Sequence, residues 1–363
     1  MQRRNFLGLS VGVVGAAAVG AFYSRRHGVQ GDLPFATSAQ AGRSGAGLDT
    51  ALDVASRPID LSGRAVNVFE YNGVFPGSAL SVHAGDPVRI RLNNHLSEPT
   101  NLHFHGLHIP PGGRADNVFL EVPAGESATY EFVVPRNHPA GTFWYHPHLH
   151  GRAAKQVSMG LAAPFIVRGE LDQIPEVAAA KEHILVLQDL PGASHGMMSS
   201  GMMSSGMGPH GGSNSETLVN GESNPTFEIA QNGLLRLRFL NASISRYLRL
   251  KVQEHPMYII ASDGGGIPAP QAVDDLLLMP GQRSEVLVRG ERSQGSYQLF
   301  ISSGTRGTGQ DDEINGYDDQ PVASLVYGEK SDRLWNIPQR LVDVPCCPRH
   351  RVRCGRSSWL AAT

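Results

Sequence analysis

Apolar and polar residues alternate with a period of two along much of the chain beyond residue 50. The clearest case is the segment 88–92, where Val88, Ile90 and Leu92 are separated by arginines. Because successive side chains of a β-strand point to opposite faces, this pattern predicts a half-buried strand whose Arg89 and Arg91 lie on the other face.

The segment 235–239 has the same pattern, with Arg236 and Arg238 between its apolar residues, and predicts a second half-buried strand. Glycine, proline and asparagine turns punctuate the chain, and no long helical pattern intervenes. Regularly spaced antiparallel strands of this kind form sandwiches or barrels, so the predicted fold class is all-β. Further predicted strands are Thr129–Val134, Phe143–His148, Phe165–Arg168, Ile184–Leu187, Tyr258–Ala261, Glu285–Val288 and Tyr297–Ile301.

The strand pattern also repeats along the chain. Asn72-Gly73 recurs as Asn220-Gly221, and Leu92-Asn93 recurs as Leu240-Asn241, both at an offset of 148 residues. Equal offsets in matching strand contexts indicate a duplication, with a joint around residues 174–180. The two predicted β-sandwich domains are residues 50–170 and 180–330.

The net charge and the positions of the cysteines exclude several classes of protein. The chain has 31 Lys and Arg against 33 Asp and Glu, a net charge of −2, which gives no electrostatic basis for binding nucleic acid. All three cysteines lie beyond residue 345, which excludes a disulfide framework or thiolate metal ligands in the body of the chain. With 15 histidines present, any metal bound there is expected to have imidazole ligands.

The amino-terminal segment is typical of an export signal. Arg3-Arg4 precedes an apolar stretch, residues 7–22, and Ala39-Gln40-Ala41 offers a cleavage site. We therefore predict a twin-arginine signal over residues 1–41 and a periplasmic or extracellular destination. The apolar stretch is shorter than the roughly 20 residues that span a bilayer, so no stable membrane span is expected in the mature chain. An uncleaved amino-terminal anchor is the alternative.

Two histidine-rich motifs fall in the first predicted domain, LHFHG at 102–106 and HPHLHG at 146–151. Residues i and i+2 of a strand share a face, so His103 and His105 are expected to project together, as are His146 and His148. On neighbouring strands these pairs would bring four imidazoles to one place. Imidazole suits copper, zinc, iron or nickel, so the ligand type alone does not select the metal.

The repeat provides an internal control on these histidines. The residues 148 positions after His103 and His105 are Lys251 and Gln253. The sandwich fold itself therefore does not require histidine at these two positions. A single His-x-His pair is more often solvated than metal-binding, whereas two pairs in one domain favour a metal site. His108 and His150 lie near the motifs and are expected outside the set of direct ligands.

The segments LHFHGLHIPP and GTFWYHPHLHG resemble the first two copper motifs of the multicopper oxidases, the laccase-like enzymes. The resemblance continues through KQVSMGLAAPFIV, LLRLRFLNAS, YIIASDGG and MPGQRSEVLV, and covers about residues 65–330. These segments resemble the first two domains of bacterial three-domain members such as the periplasmic copper efflux oxidases. The resemblance implies two tandem cupredoxin-like Greek-key β-sandwich domains. It also implies oxidation of phenols or Cu(I) with reduction of O2 to water.

The resemblance assigns roles residue by residue. His103 corresponds to the type 2 copper ligand, and His105, His146 and His148 correspond to type 3 copper ligands. Asp116 falls where related enzymes carry an acid that passes protons to the copper-oxygen intermediate. The alternative for Asp116 is a turn residue.

The chain also departs from the family pattern. A complete trinuclear centre uses four His-x-His motifs and the type 1 copper uses a His-Cys-His segment, whereas we find two copper motifs and no His-Cys-His. The last residues, 345–363, contain four Arg and three Cys without any acid and read like an out-of-frame tail. We therefore expect a truncated oxidase that is inactive alone and lacks a type 1 site. A genuine short basic tail is the alternative.

A methionine-rich segment is a second candidate for metal binding. Five methionines fall between Met197 and Met207 in a Gly/Ser context, flanked by His195 and His210. Thioethers suit Cu(I), and such segments resemble the inserts of copper efflux oxidases. A flexible low-complexity loop in which the methionines are incidental is the alternative.

Two functions besides the oxidase stay open at this point. The first is a non-enzymatic exported protein that binds or sequesters copper with the four histidines and the methionine-rich segment. The second is a zinc hydrolase, which is weak because no Glu stands beside either histidine pair as a general base.

Overall fold

The computed structural model of the chain describes residues 45–61, 63–190, 217–302 and 319–344. The predicted signal segment, the methionine-rich segment 197–207 and the predicted aberrant tail lie outside the described residues. Within those four ranges, no helix is both long enough and apolar enough to cross a membrane.

The described residues form mainly β-strands, as the alternating pattern predicts. The eight strands of the first half are β1 (Leu48–Leu61), β2 (Arg64–Tyr71), β3 (Leu80–His83), β4 (Pro87–Asn94), β5 (His103–His105), β6 (Ser127–Val133), β7 (Gly141–His146) and β8 (Ala163–Arg168). The strands that follow are β9 (Lys181–Asp189), β10 (Thr217–Val219), β11 (Thr226–Gln231), β12 (Leu234–Asn241), β13 (Leu248–Val252), β14 (Met257–Ser262), β15 (Gly265–Val273), β16 (Leu276–Leu278), β17 (Arg283–Arg289), β18 (Ser296–Ser302) and β19 (Gln320–Lys330). The helical elements are α1 (Ala153–Ser158), a 3₁₀ turn (Glu170–Gln173) and α2 (Pro175–Ala179).

The strands assemble into four sheets, two from each half of the chain. The first sandwich consists of the sheets β2-β1-β4-β6 and β3-β8-β7-β5, which enclose an apolar core that includes Ile90, Phe104 and Phe165. The second sandwich consists of the sheets β10-β9-β12-β17-β14-β15 and β11-β19-β18-β13-β16. The all-β fold is therefore confirmed. The sheets are mixed, however, because β1 pairs with β4 and β9 with β12 in parallel.

The two sandwiches repeat the same hydrogen-bonded turn. Asn72 and Asn220 have positive φ angles of 52° and 55° and lead the turn after β2 and β10. The side-chain oxygen of Asn72 accepts a hydrogen bond from the Asp53 amide at 2.6 Å, and that of Asn220 accepts one from the Val186 amide at 2.8 Å. Asparagine suits both places, because it tolerates the left-handed region and bonds to nearby backbone.

The second predicted repeat pair is wrong by one residue. Asn94, rather than Asn93, is the equivalent of Asn241. The Leu96 amide donates to the Asn94 side chain at 3.0 Å, and the Ser243 amide donates to the Asn241 side chain at 3.0 Å. The side chain of Asn93 instead lies on the exposed face of β4. Because Asn93 and Asn94 are adjacent, the sequence alone does not show which of them corresponds to Asn241.

The prediction that β12 is half-buried is also wrong, because both of its faces are buried. Arg238 has no exposed surface, and Arg236 is almost as deeply buried. Arg236 Nη2 lies 2.6 Å from Glu285 Oε2, and Arg238 is also paired with Glu285. Arg238 Nη2 lies 2.9 Å from Asp172 Oδ1, and its Nε lies 2.8 Å from Glu182 Oε2. The polar face of β12 therefore meets a layer of carboxylates instead of water.

Candidate metal centre

Strands β5 and β7 bring the two histidine motifs side by side. They pair antiparallel, with His103 opposite His146 and His105 opposite Trp144. Phe104, between the two histidines of β5, is fully buried in the first core. The period of two therefore holds Phe104 inside and directs His103 and His105 to the opposite face, as the sequence predicts.

Three of the four predicted imidazoles converge. One nitrogen from each of His103, His105 and His146 lies within 4.8 Å of the other two. Nδ1 of His105 and Nε2 of His146 are 3.3 Å apart. Among the described residues, this is the one group of three or more His, Cys, Asp or Glu side chains with such spacing.

The fourth imidazole, that of His148, lies beside this group. The predicted strand Phe143–His148 ends earlier, at His146, and Pro147 follows. Proline has no amide hydrogen to continue the ladder, which explains the early end. The His148 amide donates to Asn101 Oδ1 at 2.7 Å, and the His148 ring is exposed with its centroid 5.0 Å from that of His103.

Asp116 contacts the first histidine directly. Its Oδ1 lies 2.8 Å from Nδ1 of His103 and also accepts the Phe104 amide at 2.9 Å. A carboxylate can only accept here, so Nδ1 of His103 is the donor and Nε2 is the ring nitrogen left for a metal. This carboxylate–histidine arrangement is typical of metal ligands whose ring orientation and tautomer are fixed by a second residue.

The buried histidines of the group are held neutral. Burial, and next the charge of Arg283, lower the pKa of His105 to about 4. Burial also lowers the pKa of His146 well below its ordinary value. The Nδ1 of His146 lies 2.9 Å from the Pro147 carbonyl oxygen, to which it donates, and this leaves the lone pair on Nε2, which faces Nδ1 of His105 at 3.3 Å. Neutral imidazoles are the form that binds a metal, so these residues fit an imidazole-bound ion.

An aromatic side chain supports two of the rings. Trp144 stacks on His146 with centroids 3.9 Å apart and on His105 with centroids 5.1 Å apart. Its indole Nε1 is buried and finds no hydrogen-bond partner among the described residues. The stacking restricts the planes of both imidazoles, so Trp144 is part of the site that the pattern of histidines alone did not identify.

The second sandwich also contacts the site, which the sequence reasoning missed. The Nε of Arg283 donates to the carbonyl oxygen of Thr142, on the same strand as His146, at 3.1 Å. Gly281 lies so close to His105 that a Cβ on it would be 3.2 Å from the ring Cε1. Both residues belong to the MPGQR segment, whose resemblance to the family was the available signal.

The neighbouring histidines lie outside the converging group. His108 and His150 are both exposed, and neither belongs to the group of three. The His108 ring lies against His138, with centroids 4.8 Å apart. The prediction that these two residues are not direct ligands stays a prediction.

Comparison with known proteins shows the family of the chain. Sequence models described as multicopper oxidase match residues 53–172 and 181–330. A laccase-like multicopper oxidase from the lignin-degrading bacterium Ochrobactrum sp. is 27% identical, with a TM-score of 0.67 over 83% of this chain and 67% of that one. The predicted tandem of cupredoxin-like sandwiches is thereby confirmed.

Curated relatives carry a different name. The cell division protein FtsP of Rahnella sp. is 32% identical over 355 residues, which cover 94% of this chain and 72% of the relative. That of Photorhabdus laumondii is 30% identical over 289 residues, 76% of this chain and 59% of the relative. Against several of these relatives the chain spans about half to three fifths of their length. The two family matches and the shared fold establish that the chain belongs to the multicopper oxidase family.

Proposed function

We propose that the first sandwich binds copper through His103, His105, His146 and His148. The observation that carries this proposal is the convergence of three imidazole nitrogens within 4.8 Å, with His148 beside them. Imidazole is a good ligand for copper, and Cu(II) stands highest in the affinity order of the divalent first-row metals. The family supports copper over the other metals that imidazole accepts.

Copper bound here would supply one-electron redox chemistry toward O2. The chain's own residues prepare the site for the ion. Asp116 holds the proton on Nδ1 of His103, and the Pro147 carbonyl holds the proton on Nδ1 of His146, so that each ring presents Nε2. We assign His103 to a type 2 copper and the other three histidines to type 3 copper, as the family resemblance implies. Asp116 is also the proposed proton donor, since its carboxylate is next to the first ligand.

The activity we propose for the whole enzyme is laccase-like oxidation of phenols or Cu(I), coupled to reduction of O2 to water. The similarity to the Ochrobactrum oxidase supports it. Residues 1–363 contain no His-Cys-His segment for a type 1 copper, so we expect this polypeptide to bind copper without turning over a phenol. Oxygen consumption by the copper-loaded chain with a phenolic substrate tests this expectation, and sustained consumption would contradict it.

The experiment for copper binding compares two sets of alanine substitutions. In the first set His103, His105, His146 and His148 are changed to Ala. The matched control changes His108 and His150, which are near the site but outside the converging group. Electron paramagnetic resonance of the parent and the control should show an ordinary type 2 Cu(II) signal, which the four-Ala variant should lose. Equal Cu(II) affinity of the four-Ala variant and the parent would overturn the assignment.

The role of Asp116 has its own test. Asp116→Asn removes the charge that holds the His103 tautomer and should weaken Cu(II) binding about 10-fold to 100-fold. Asp86→Asn is the control, because Asp86 is a buried carboxylate of the same sandwich that accepts backbone amides, including that of His83 at 2.8 Å. Equal affinity of the two variants would show that Asp116 is a turn residue only.

A second candidate is a copper-binding protein without oxidase activity. The observation that favours it is the similarity to proteins named cell division protein FtsP at 30% and 32% identity. Under this proposal the centre would bind copper, a strain lacking the gene would show a division defect, and copper-loaded protein would not consume O2. Complementation of that defect by the four-Ala variant would separate a role in division from copper binding.

We also propose domain boundaries at residues 50–170 and 180–330, and export by the twin-arginine route. The family matches over 53–172 and 181–330 support the boundaries. Changing Arg3 and Arg4 to Lys should retain the protein in the cytoplasm. Amino-terminal sequencing of the exported form would show whether cleavage follows Ala41.

A further inference from the structure

We propose that Arg283 and Gly281, on the second sandwich, are positioning residues for the metal centre of the first. They supply no metal ligand. Their contacts hold His105 and strand β7 where the imidazole nitrogens converge. The inference rests on the proposed copper binding and assigns to the second sandwich a part in forming the site.

All three guanidinium nitrogens of Arg283 form hydrogen bonds. Its side chain is 4% exposed. Nε donates to the Thr142 carbonyl, Nη1 to the Gly281 carbonyl at 3.1 Å, and Nη2 to the Asp263 carbonyl at 3.0 Å. Nη1 also lies 2.7 Å from the Asp263 carboxylate. Arginine presents its donors in a rigid planar fork, so this set of bonds fixes the group in one orientation.

These bonds connect the second sandwich to the strand that carries the ligand. Thr142 and His146 are four residues apart on β7 and therefore share a face of that strand. The bond from Arg283 to the Thr142 backbone restrains β7 along its axis. The Thr142 hydroxyl donates to Glu285 at 2.7 Å and accepts from Arg238 at 3.0 Å, which adds two further restraints from the second sandwich.

The contact with the other motif depends on two glycines. A Cβ on Gly106, which follows His105, would lie 2.4 Å from Nη2 of Arg283. Gly106 and Gly281 have φ angles of +87° and +79°, which other residues rarely adopt. The absence of a side chain at these two positions lets the 281–283 segment lie directly against the His105 turn.

A restraint of this kind matters because metal ligation tolerates little error. Ligand side chains must be held to within about 0.5 Å and 10–20° of the productive geometry. Residues that orient ligands without binding the metal typically change metal affinity by 10-fold to 100-fold when they are substituted. Arg283 and Gly281 are in the place where such an effect is expected.

The test compares Arg283→Gln with Arg246→Gln in the full chain. Arg246 is a control, because it is an arginine of the second sandwich whose Nη1 pairs with Asp189 at 2.9 Å and donates to the Thr217 hydroxyl at 2.7 Å. We expect Arg283→Gln to weaken Cu(II) binding about 10-fold or more in competition with a chelator and to broaden the Cu(II) paramagnetic resonance spectrum. The control should leave both unchanged. Removal of a nearby cation would by Coulomb's law strengthen Cu(II) binding, so weaker binding identifies lost positioning.

A second variant keeps the test independent of the arginine charge. Gly281→Ala places a methyl group against His105 and should weaken Cu(II) binding and change the resonance spectrum in the same direction. The urea midpoint of each metal-free variant separates these effects from loss of fold. If Arg283→Gln and Gly281→Ala are folded and bind Cu(II) like the parent, the positioning proposal is wrong and the copper proposal stands. If the folded parent itself binds no Cu(II), the copper proposal fails first.

Discussion

Strands β4 and β12 occupy equivalent positions in the two sandwiches and have nearly the same sequence pattern, yet their arginines have opposite environments. Counted from the equivalent Asn94 and Asn241, Arg91 corresponds to Arg238. Arg91 is exposed on the outer face of the first sandwich, whereas Arg238 has no exposed surface. The alternating pattern is the same, and the surroundings are different.

The difference shows what an alternating pattern predicts. It predicts which residues share a face of the strand, and this holds in both sandwiches. It does not predict whether the polar face meets water or another part of the protein. Burial of two arginines on β12 is tolerated because Glu285, Asp172 and Glu182 offset their charges. Those carboxylates come from separate elements that only the tertiary structure brings together.

The strongest test of this comparison is the pair Arg238→Met and Arg91→Met. Arg238→Met leaves Glu285 buried with fewer partners, so we expect the free energy of unfolding to fall by about 3 to 5 kcal/mol. Arg91→Met should change it by no more than about 0.5 kcal/mol, since the side chain is in water. Urea denaturation followed by circular dichroism measures both. Similar losses for the two variants would mean that β12 is not buried as described.

The second-largest effect is expected from acid, which should weaken the ion pairs between the buried arginines of β12 and their carboxylates. Burial alone raises the pKa of a carboxyl, but the guanidinium groups of Arg238 and Arg236 outweigh it, so the pKa values of Glu182 and Asp172 are lowered. A lowered pKa in the folded state contributes stability above the unfolded value of about 4, and this contribution is lost as pH falls through the folded pKa.

We therefore expect the free energy of unfolding to decrease as the pH is lowered from about 5 to 3. In Glu182→Gln the decrease should be smaller, because one of the responsible carboxyls is absent. Urea denaturation at several pH values measures the slope. An equal slope in parent and variant would exclude Glu182 as a contributor.

A smaller effect is expected at the repeated turn. Asn220 is buried and Asn72 is exposed, although both bond to the same kind of backbone group. Asn220→Ala leaves the Val186 amide without its partner away from water and should cost about 1 to 3 kcal/mol. Asn72→Ala should cost less, since water can replace the lost bond at Asp53. A larger loss for Asn72→Ala in urea denaturation would reverse this interpretation.

The smallest effect is expected when a His-x-His pair is introduced on β13 of the second sandwich. On β13, Arg249 and Lys251 are the two residues that are not buried. Arg249→His with Lys251→His, made in the four-Ala background, should restore no tight Cu(II) site, because β18 offers no histidine opposite. A type 2 Cu(II) signal with parental affinity would show that one His-x-His pair is sufficient.

Much of the site follows from local sequence. The period of two correctly places Phe104 inside and the flanking histidines on the other face, because β5 obeys the strand rule. His148 deviates because Pro147 ends the strand. Sequence reasoning also treated Asp116 as a proton donor or turn residue, and its contact with His103 could not be derived because the two residues are 13 positions apart on different segments.

The sequence by itself determined the all-β class, the tandem repeat and the identity of the histidine pairs, because strand periodicity and motif spacing are local properties. The tertiary structure decided which nitrogens converge, that Trp144 stacks on two of the rings, and that Arg283 of the second sandwich reaches the first. It also decided that Arg236 and Arg238 are buried. Most of these features depend on contacts between residues far apart in the chain. The pairing of β5 with β7 brings the two histidine motifs together, and contacts between the sandwiches place Arg283 against Thr142.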